Sequence, residues 1–312
     1  MSELTASQDV PVSTAGVDVV IVNWNAGPLL ARCIAALQLA EQSVLASVTV
    51  VDNASADNSI QGIAKTPVKL LENSDNKGFG AACNQGAALG HAPQLLFLNP
   101  DTEIAPQALG RASAYLAEHP ECGVVGLQLV GADGDVQRSC ARLPTVWSML
   151  AHGLGLDRIM PATGYAMREW DHQTSRRVDH VIGACYLIRR DLFATLGGFD
   201  ERFFVYLEDL DLSQRVRQQG FDLQFIADAS GYHLGGGTSA AVPGLRLFYS
   251  LRARLQYSAK HFSRLASTAI AVTTLVLEPA IRLLELLLTG RRHQVPALAQ
   301  AYRKLWRWRL QC

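Results

Sequence analysis

The 312-residue chain is most informative first for what it lacks. Its six cysteines, Cys33, Cys83, Cys122, Cys140, Cys185 and Cys312, form no CxxC pair and no other metal-ligand spacing. That excludes zinc ribbons and dithiol redox motifs, and reduced thiols of a cytoplasmic protein are the plain reading. Residues 1–16 have no apolar core, so no secretory signal is read there and a flexible N-terminus is expected. In the C-terminal region the uncharged run Leu265–Leu277 is short of the ~20 apolar residues that cross a bilayer. The glycine-bearing loop at 76–80 is neither a Walker loop nor GxGxxG. There is no internal repeat. With 49% hydrophobic and 18% charged residues the chain can bury a core, which excludes a disordered protein.

The formal net charge is zero, but the charges are unevenly placed. Residues 245–312 hold 12 of the 28 Lys and Arg and only two of the 28 acids, Glu278 and Glu285. A basic, apolar tail on an acidic body implies an anionic partner. Long aliphatic runs between the basic residues favour a membrane surface over nucleic acid. Arg291, Arg292, Arg303, Lys304, Arg307 and Arg309, with Trp306 and Trp308 among them, suit the headgroup zone, so an interfacial or re-entrant helical tail over 245–312 is expected, with a helical subdomain packed on the body as the alternative.

Hydrophobic patterning predicts strands at Val17–Val22, Val48–Val51, Val68–Leu71 and Leu95–Leu98. Helices are predicted from Pro28 to about Gln42, over Gly78–Leu89 and over Pro106–Glu118, with Asp57 as the N-cap of a short helix. This alternation predicts a doubly wound, mostly parallel α/β sheet, within a domain over 17–244. Gly131–Gly134 reads as a turn in a small antiparallel insertion, and residues 139–179 as irregular and acceptor-facing. A strand over Val181–Ile188, helices over Asp191–Leu196 and 206–219, and a strand over Leu223–Ile226 complete the domain.

Ligands of such sheets bind beyond the carboxyl ends of the strands. Three polar clusters stand there: Asn23-Trp24-Asn25, Asp52-Asn53 and Asn99-Pro100-Asp101. Asp52 can accept from a pyrimidine N3–H, or can simply cap the next helix. Asn76, Lys77 and Gly78 precede a helix and suit a phosphate or ribose. Asp101 and Glu103 are hard oxygen donors for Mg²⁺ or Mn²⁺; His233 follows a predicted strand and its imidazole tolerates Mn²⁺, but read alone it is more often a structural histidine. Glu208, Asp209 and Asp211 crowd three carboxylates at a helix start, where partial burial raises at least one pKa, as a general base requires. They also complement the helix dipole. Arg138, Arg142, Tyr206 and Asp211 are read on the acceptor side.

These stretches resemble glycosyltransferase family 2, in its rhamnosyltransferase-like branch of bacterial cell-surface polysaccharide synthesis. The matching segments are VIVNWN (20–25), VVDNASAD (50–57), ENSDNKGFGAACNQG (72–86), LLFLNPDTEI (95–104), QRSCARLPT (137–145), GACYLIRRDLF (183–193), GGFDERFFVYLEDLDLSQRVRQQG (197–220) and HLGGGTS (233–239). The resemblance implies a GT-A fold and inversion at the anomeric carbon. It implies donor contacts from Asn23, Asn25, Asp52, Asn53, Asn76, Lys77, Gly78, Asn99 and Asp101, and a divalent cation on Asp101 and His233. It implies Asp209, beside Glu208, as general base. It further implies dTDP-L-rhamnose as donor, a lipid-linked saccharide or growing glycan as acceptor, and work at the cytoplasmic face of the membrane. Two departures stand out: Asn99 replaces the first carboxylate of the family's Asp-x-Asp, and Leu234 stands where relatives often carry a second His.

Two other classes compete. A nucleotidyltransferase acting on a sugar phosphate would need a basic, glycine-rich loop after the first strand, and residues 23–28 (NWNAGP) hold no Lys or Arg. A non-catalytic membrane adaptor would depend on the tail alone.

Overall fold

The computed structural model describes residues 16–40, 42–235 and 242–311. The expectations for residues 1–15, for Gly236 to Ser239 and for Cys312 lie outside them. The first strand, β1 (Val17–Asn23), is buried at every position, as a strand covered on both faces must be. Helix α1 (Pro28–Gln38) ends short of Gln42, whose side-chain amide turns back onto the carbonyls of Leu37, Gln38 and Ala40. There follow β2 (Leu45–Asp52), β3 (Lys69–Glu72), α2 (Phe79–Ala87), β4 (Gln94–Leu98), β5 (Thr102–Ile104), α3 (Ala108–Glu118) and β6 (Cys122–Val130). Next come β7 (Cys140–Ala141), α4 (Val146–Gly153), α5 (Leu156–Ile159), β8 (Arg176–Val178), β9 (His180–Val181), β10 (Cys185–Arg189), α6 (Arg190–Thr195), α7 (Glu208–Gln218) and β11 (Asp222–His233).

The main sheet has the order β3-β2-β1-β4-β10-β6-β11-β5, with β8 also on β11. The β1–β4 half is parallel, as predicted, and β10 runs antiparallel between β4 and β6. β7 and β9 form the small antiparallel sheet. Alternate β1 residues face opposite cores: Val17, Val19 and Ile21 pack with α1 and α3, and Val20 and Val22 pack with α2 and α7. All five described cysteines are buried free thiols.

Three local expectations change. Asp57 caps no helix; its carboxylate accepts from the Gly27 N–H at 2.7 Å and from Ser59, tying the β2 loop to the start of α1. Residues 139–179 are not irregular throughout, since α4 starts on a reciprocal Thr145–Ser148 capping box. The single strand predicted over Val181–Ile188 is broken into β9 and β10 by a turn at 182–184.

The tail is helical, as expected. It folds into α8 (Pro243–His261), α9 (Arg264–Val272), a π-helical turn (Thr273–Leu277), α10 (Glu278–Leu288) and α11 (Val295–Gln311). These helices have their own core of Phe248, Leu251, Leu255, Leu298, Tyr302 and Leu305. A second cluster, with Met149, Phe203, Leu210, Tyr257 and Ile270, joins the tail to the body. Trp308 stacks on Arg252 and Trp306 donates to the Leu275 carbonyl, so the Trp-bearing segment packs on its own subdomain. No helix among the described residues is long and apolar enough to cross a membrane.

Candidate active site

Strand register brings the polar clusters onto one rim. Asn23 pairs with Asp52 at the last position of β1 and β2, and Asn99 follows β4 in the next strand. Asn23 is fully buried and donates to Asp52 Oδ1 (2.7 Å), Ser55 and Ser59. Asp52 also accepts from the Ser55 hydroxyl and N–H. Asn25 has left-handed torsions and accepts from the Ala56 N–H at 2.7 Å. These residues therefore build the rim as well as lining it.

Asn53 carries the glycine loop. Its Oδ1 accepts from Asn73 and from the Lys77 N–H, and its Nδ2 donates to the Gly78 carbonyl at 3.0 Å. Asn76 Oδ1 accepts from the Gly78 N–H, and exposed Lys77 pairs with Asp75. Gly78 has φ 92°, and a Cβ there would overlap the Phe204 carbonyl, which also accepts from the Phe79 N–H at 2.7 Å. The loop is thus seated on the segment that leads into α7. Gly78→Ala is expected to cost about 3 kcal/mol of stability and to weaken donor binding. Urea denaturation with a donor titration checks both; a variant indistinguishable from the parent contradicts the close approach.

After β4, Glu103 turns to Arg32 (2.6 Å), leaving Asp101 to face the site. β11 pairs antiparallel with β5, setting His233 opposite Thr102 and beside Asp101. Gln137 fixes the His233 ring: its Nε2 donates to the His233 carbonyl (2.7 Å), so its Oε1 accepts from Nδ1 (2.8 Å). This leaves the Nε2 lone pair aimed at Asp101 Oδ1, 3.4 Å away. Nε2 is buried with no hydrogen-bond partner. A lone pair facing a carboxylate fits a cation held between them, since two ligands at ~2.1 Å from one ion stand about 3 Å apart. Among the described residues no group of three or more His, Cys, Asp or Glu could hold a metal. A cation here would take its other ligands from water and a diphosphate, as Mg²⁺ and Mn²⁺ do.

The acidic start of α7 follows two consecutive non-glycine residues with left-handed torsions, Tyr206 (φ 72°) and Leu207 (φ 63°). Such backbone strain gathers at functional sites. Asp209 Oδ2 accepts from the Gly183 N–H (2.7 Å) and Oδ1 from the Leu210 N–H (2.8 Å). The same 182–184 turn accepts from the Asn99 N–H at the Ala184 carbonyl (3.0 Å), so one turn links Asp209 to the Asn99-Pro100-Asp101 cluster. His180 Nε2 lies 3.8 Å from Asp209, and burial lowers the imidazole pKa and keeps it neutral.

Glu208 is buried under α2, with Oε2 unpartnered. Burial, then the neighbouring Asp209 charge, hold its carboxyl well above the usual range. A raised folded-state pKa means that stability falls as pH climbs from the ordinary glutamate range through the raised value. Glu208→Gln, which mimics the neutral acid, is expected to remove that fall and to melt above the parent at pH 8. Melting curves from pH 5 to 9 test this, and a parallel decline in both proteins refutes it.

The acceptor-side expectations separate. Arg138 and Arg142 are exposed, and Arg142 pairs with Glu169. Tyr206 is half-buried against the cluster shared with the tail. Asp211 does not face the cleft: it is fully buried among Arg215 (2.8 Å), Lys260 (2.6 Å) and His261 (2.7 Å). Three positioning groups escaped sequence reasoning. Gln137 and Gly183 stand in segments already noted for their resemblance, and His180 carried no signal of its own.

Residues 18–197 match the glycosyl transferase family 2 domain. The chain is 31% identical over 232 residues to an N-acetylglucosaminyl-diphospho-decaprenol L-rhamnosyltransferase of Mycobacterium tuberculosis, covering 69% of this chain and 75% of that one. It is 32% identical over 156 residues to the O-antigen biosynthesis protein RfbC of Myxococcus xanthus, covering 50% of this chain and 12% of that one. The fold matches a mannosyltransferase from Pyrobaculum calidifontis solved with GDP-Man and Mn²⁺, at TM-score 0.57 and 17% identity, covering 93% and 86% of the two chains. With this match and the GT-A fold established, the chain belongs to glycosyl transferase family 2 and is a glycosyltransferase.

Proposed function

We propose that the enzyme transfers L-rhamnose from dTDP-L-rhamnose to a hydroxyl of a lipid-linked saccharide, with inversion, at the inner face of the cytoplasmic membrane. The observation that carries this reading is the acidic start of α7, where Asp209 is set by the Gly183 N–H beside the turn that also holds Asn99. Asp209 accepts the proton of the acceptor hydroxyl as its oxygen bonds to the anomeric carbon and the bond from that carbon to the diphosphate breaks. Each carboxylate oxygen accepts one backbone hydrogen bond, which leaves lone-pair capacity for the acceptor. Asp101 and His233 would hold a divalent cation, which when bound offsets the charge growing on the leaving diphosphate. Neutral Glu208 spares the site a second charge beside Asp209. Asp52 and the Asn53-supported loop at 76–78 hold the nucleoside and diphosphate.

The choice of donor and acceptor is supported by the Mycobacterium tuberculosis relative, whose name gives both rhamnosyl transfer and a decaprenol-linked acceptor. A panel of dTDP-, UDP- and GDP-sugars with Mg²⁺ or Mn²⁺ tests the donor by protection against unfolding. At about 100 times its dissociation constant the true donor adds ~2.7 kcal/mol. Protection by dTDP-L-rhamnose above the others is expected. Stronger protection by another sugar nucleotide overturns the rhamnosyl assignment.

A further inference from the structure

The second half of the tail has its apolar and charged faces reversed. α9, the π-helical turn and α10 run on as one helical segment, 264–288, because Val272, Thr273, Leu277 and Glu278 all keep right-handed helical torsions. The segment is about 37 Å long at 1.5 Å per residue. A surface helix normally buries its apolar stripe and exposes its charges. Here the outer stripe is Leu265, Val272, Val276, Leu284 and Leu288, exposed by 83%, 51%, 61%, 57% and 78%. Their spacings of 7, 4, 8 and 4 keep them near one face.

The one buried charge of the segment, Glu278, turns inward. The Glu278 side chain is 1% exposed and pairs with Arg254 (2.5 Å) and Arg282 (2.7 Å). Glu285 pairs with Arg158 of α5, which brings exposed Ile159 and Met160 alongside α10. On the inner face, Ile270 belongs to the same apolar cluster as Phe203 and Leu210, which flank the start of α7.

We infer that the outer face of 264–288, with Ile159 and Met160, is seated in the surface of an anionic bilayer. The inference deepens the lipid-linked acceptor reading and rests on it for its purpose: a bilayer here lies one helix away from the cluster beside Asp209. Charge selects the occupant. Exposed Arg264 and Arg292 stand at the two ends of the segment, buried Glu278 is neutralised by Arg254 and Arg282, and Glu285 is paired with Arg158 and Arg291. A second copy of the chain would set like charges against each other, whereas anionic headgroups complement them. The binding surface is therefore this leucine and valine face, and Trp308 of α11 packs against Arg252 within the subdomain.

Co-sedimentation of the full chain with vesicles of equal phosphatidylglycerol and phosphatidylcholine tests this. Leu284→Gln with Leu288→Gln is expected to weaken binding on the order of a hundredfold. Arg264→Glu with Arg292→Glu is expected to weaken it roughly thirtyfold or more, on anionic vesicles only. Melting temperatures and protection by dTDP-L-rhamnose serve as fold and donor controls and are expected to be unchanged. The inference is overturned if the parent does not bind anionic vesicles, if the leucine variant binds as the parent does, or if the parent is a dimer that the leucine substitutions dissociate. Loss of donor protection in the parent, with vesicle binding intact, would instead refute the donor assignment.

Discussion

Asp209→Asn should lower kcat by about 10²–10⁴-fold, the range a positioned general base contributes. An amide cannot take the acceptor proton, and its NH₂ must face either the Gly183 or the Leu210 N–H, each of which now donates to a carboxylate oxygen. The fold should survive, because α7 is held by Leu210, Leu212 and Val216 in the core. Donor affinity should stay within about threefold, since the loop at 76–78 and the Asp101–His233 pair are untouched. The contrast with Glu208→Gln sharpens the assignment: the proposed base must accept a proton, whereas burial already favours the neutral form of its neighbour. Steady-state rates with donor titrations measure this, and an Asp209→Asn enzyme with full kcat would remove Asp209 from the chemistry.

The second large effect is on stability. Asp211 is the buried anion that joins α7 to the tail through Lys260 and His261, with Arg215 on its own helix. Asp211→Asn strands Lys260 and Arg215 around a neutral amide, which costs about 3–5 kcal/mol for a buried network of this kind. Burial alone would raise the Asp211 pKa, but hydrogen bonds from His261 and Lys260 and the charge of Arg215 more than offset it, and the pKa is lowered. A lowered folded-state pKa gives stability that is fully present above the ordinary aspartate range and is lost as pH falls through the lowered value. The parent should lose stability in acid through this group, and the variant should have the flatter acid limb. Urea denaturation at pH 7 and at about pH 2.5 reads both; a loss below 1 kcal/mol at pH 7 would show that the network does not hold the tail.

How much of this was legible in the sequence depended on whether local patterning decided it. β1, apolar except for Asp18 and the terminal Asn23, reads as a strand covered on both faces, and it places Asn23 at the rim. The direction of β10 was not legible, because an apolar run reads alike in parallel and antiparallel strands. α4 was hidden by scattered polar residues, although Thr145 and Ser148 held its capping signal. The Asp101–His233 pair was expected from the family resemblance and not from local patterning, because it depends on the β5–β11 register between residues far apart in the chain. Asp211 carried the same acidic signal as Asp209, and only the packing of α8 onto α7 separates a buried ion-pair hub from the proposed base. The tail's composition pointed to lipid. The inferred contact face lies on the outer side of 264–288 rather than at the Trp and Arg cluster, because Trp308 packs against Arg252 and Glu278 is buried between arginines.

The most direct test of the central claim is the anomeric configuration of the product. The enzyme is incubated with dTDP-L-rhamnose, a divalent cation and an N-acetylglucosaminyl diphosphate lipid, and the new linkage is read by NMR. The account predicts release of dTDP and a rhamnosyl bond of configuration opposite to that of the donor. A product that retains the donor configuration would contradict direct displacement assisted by Asp209.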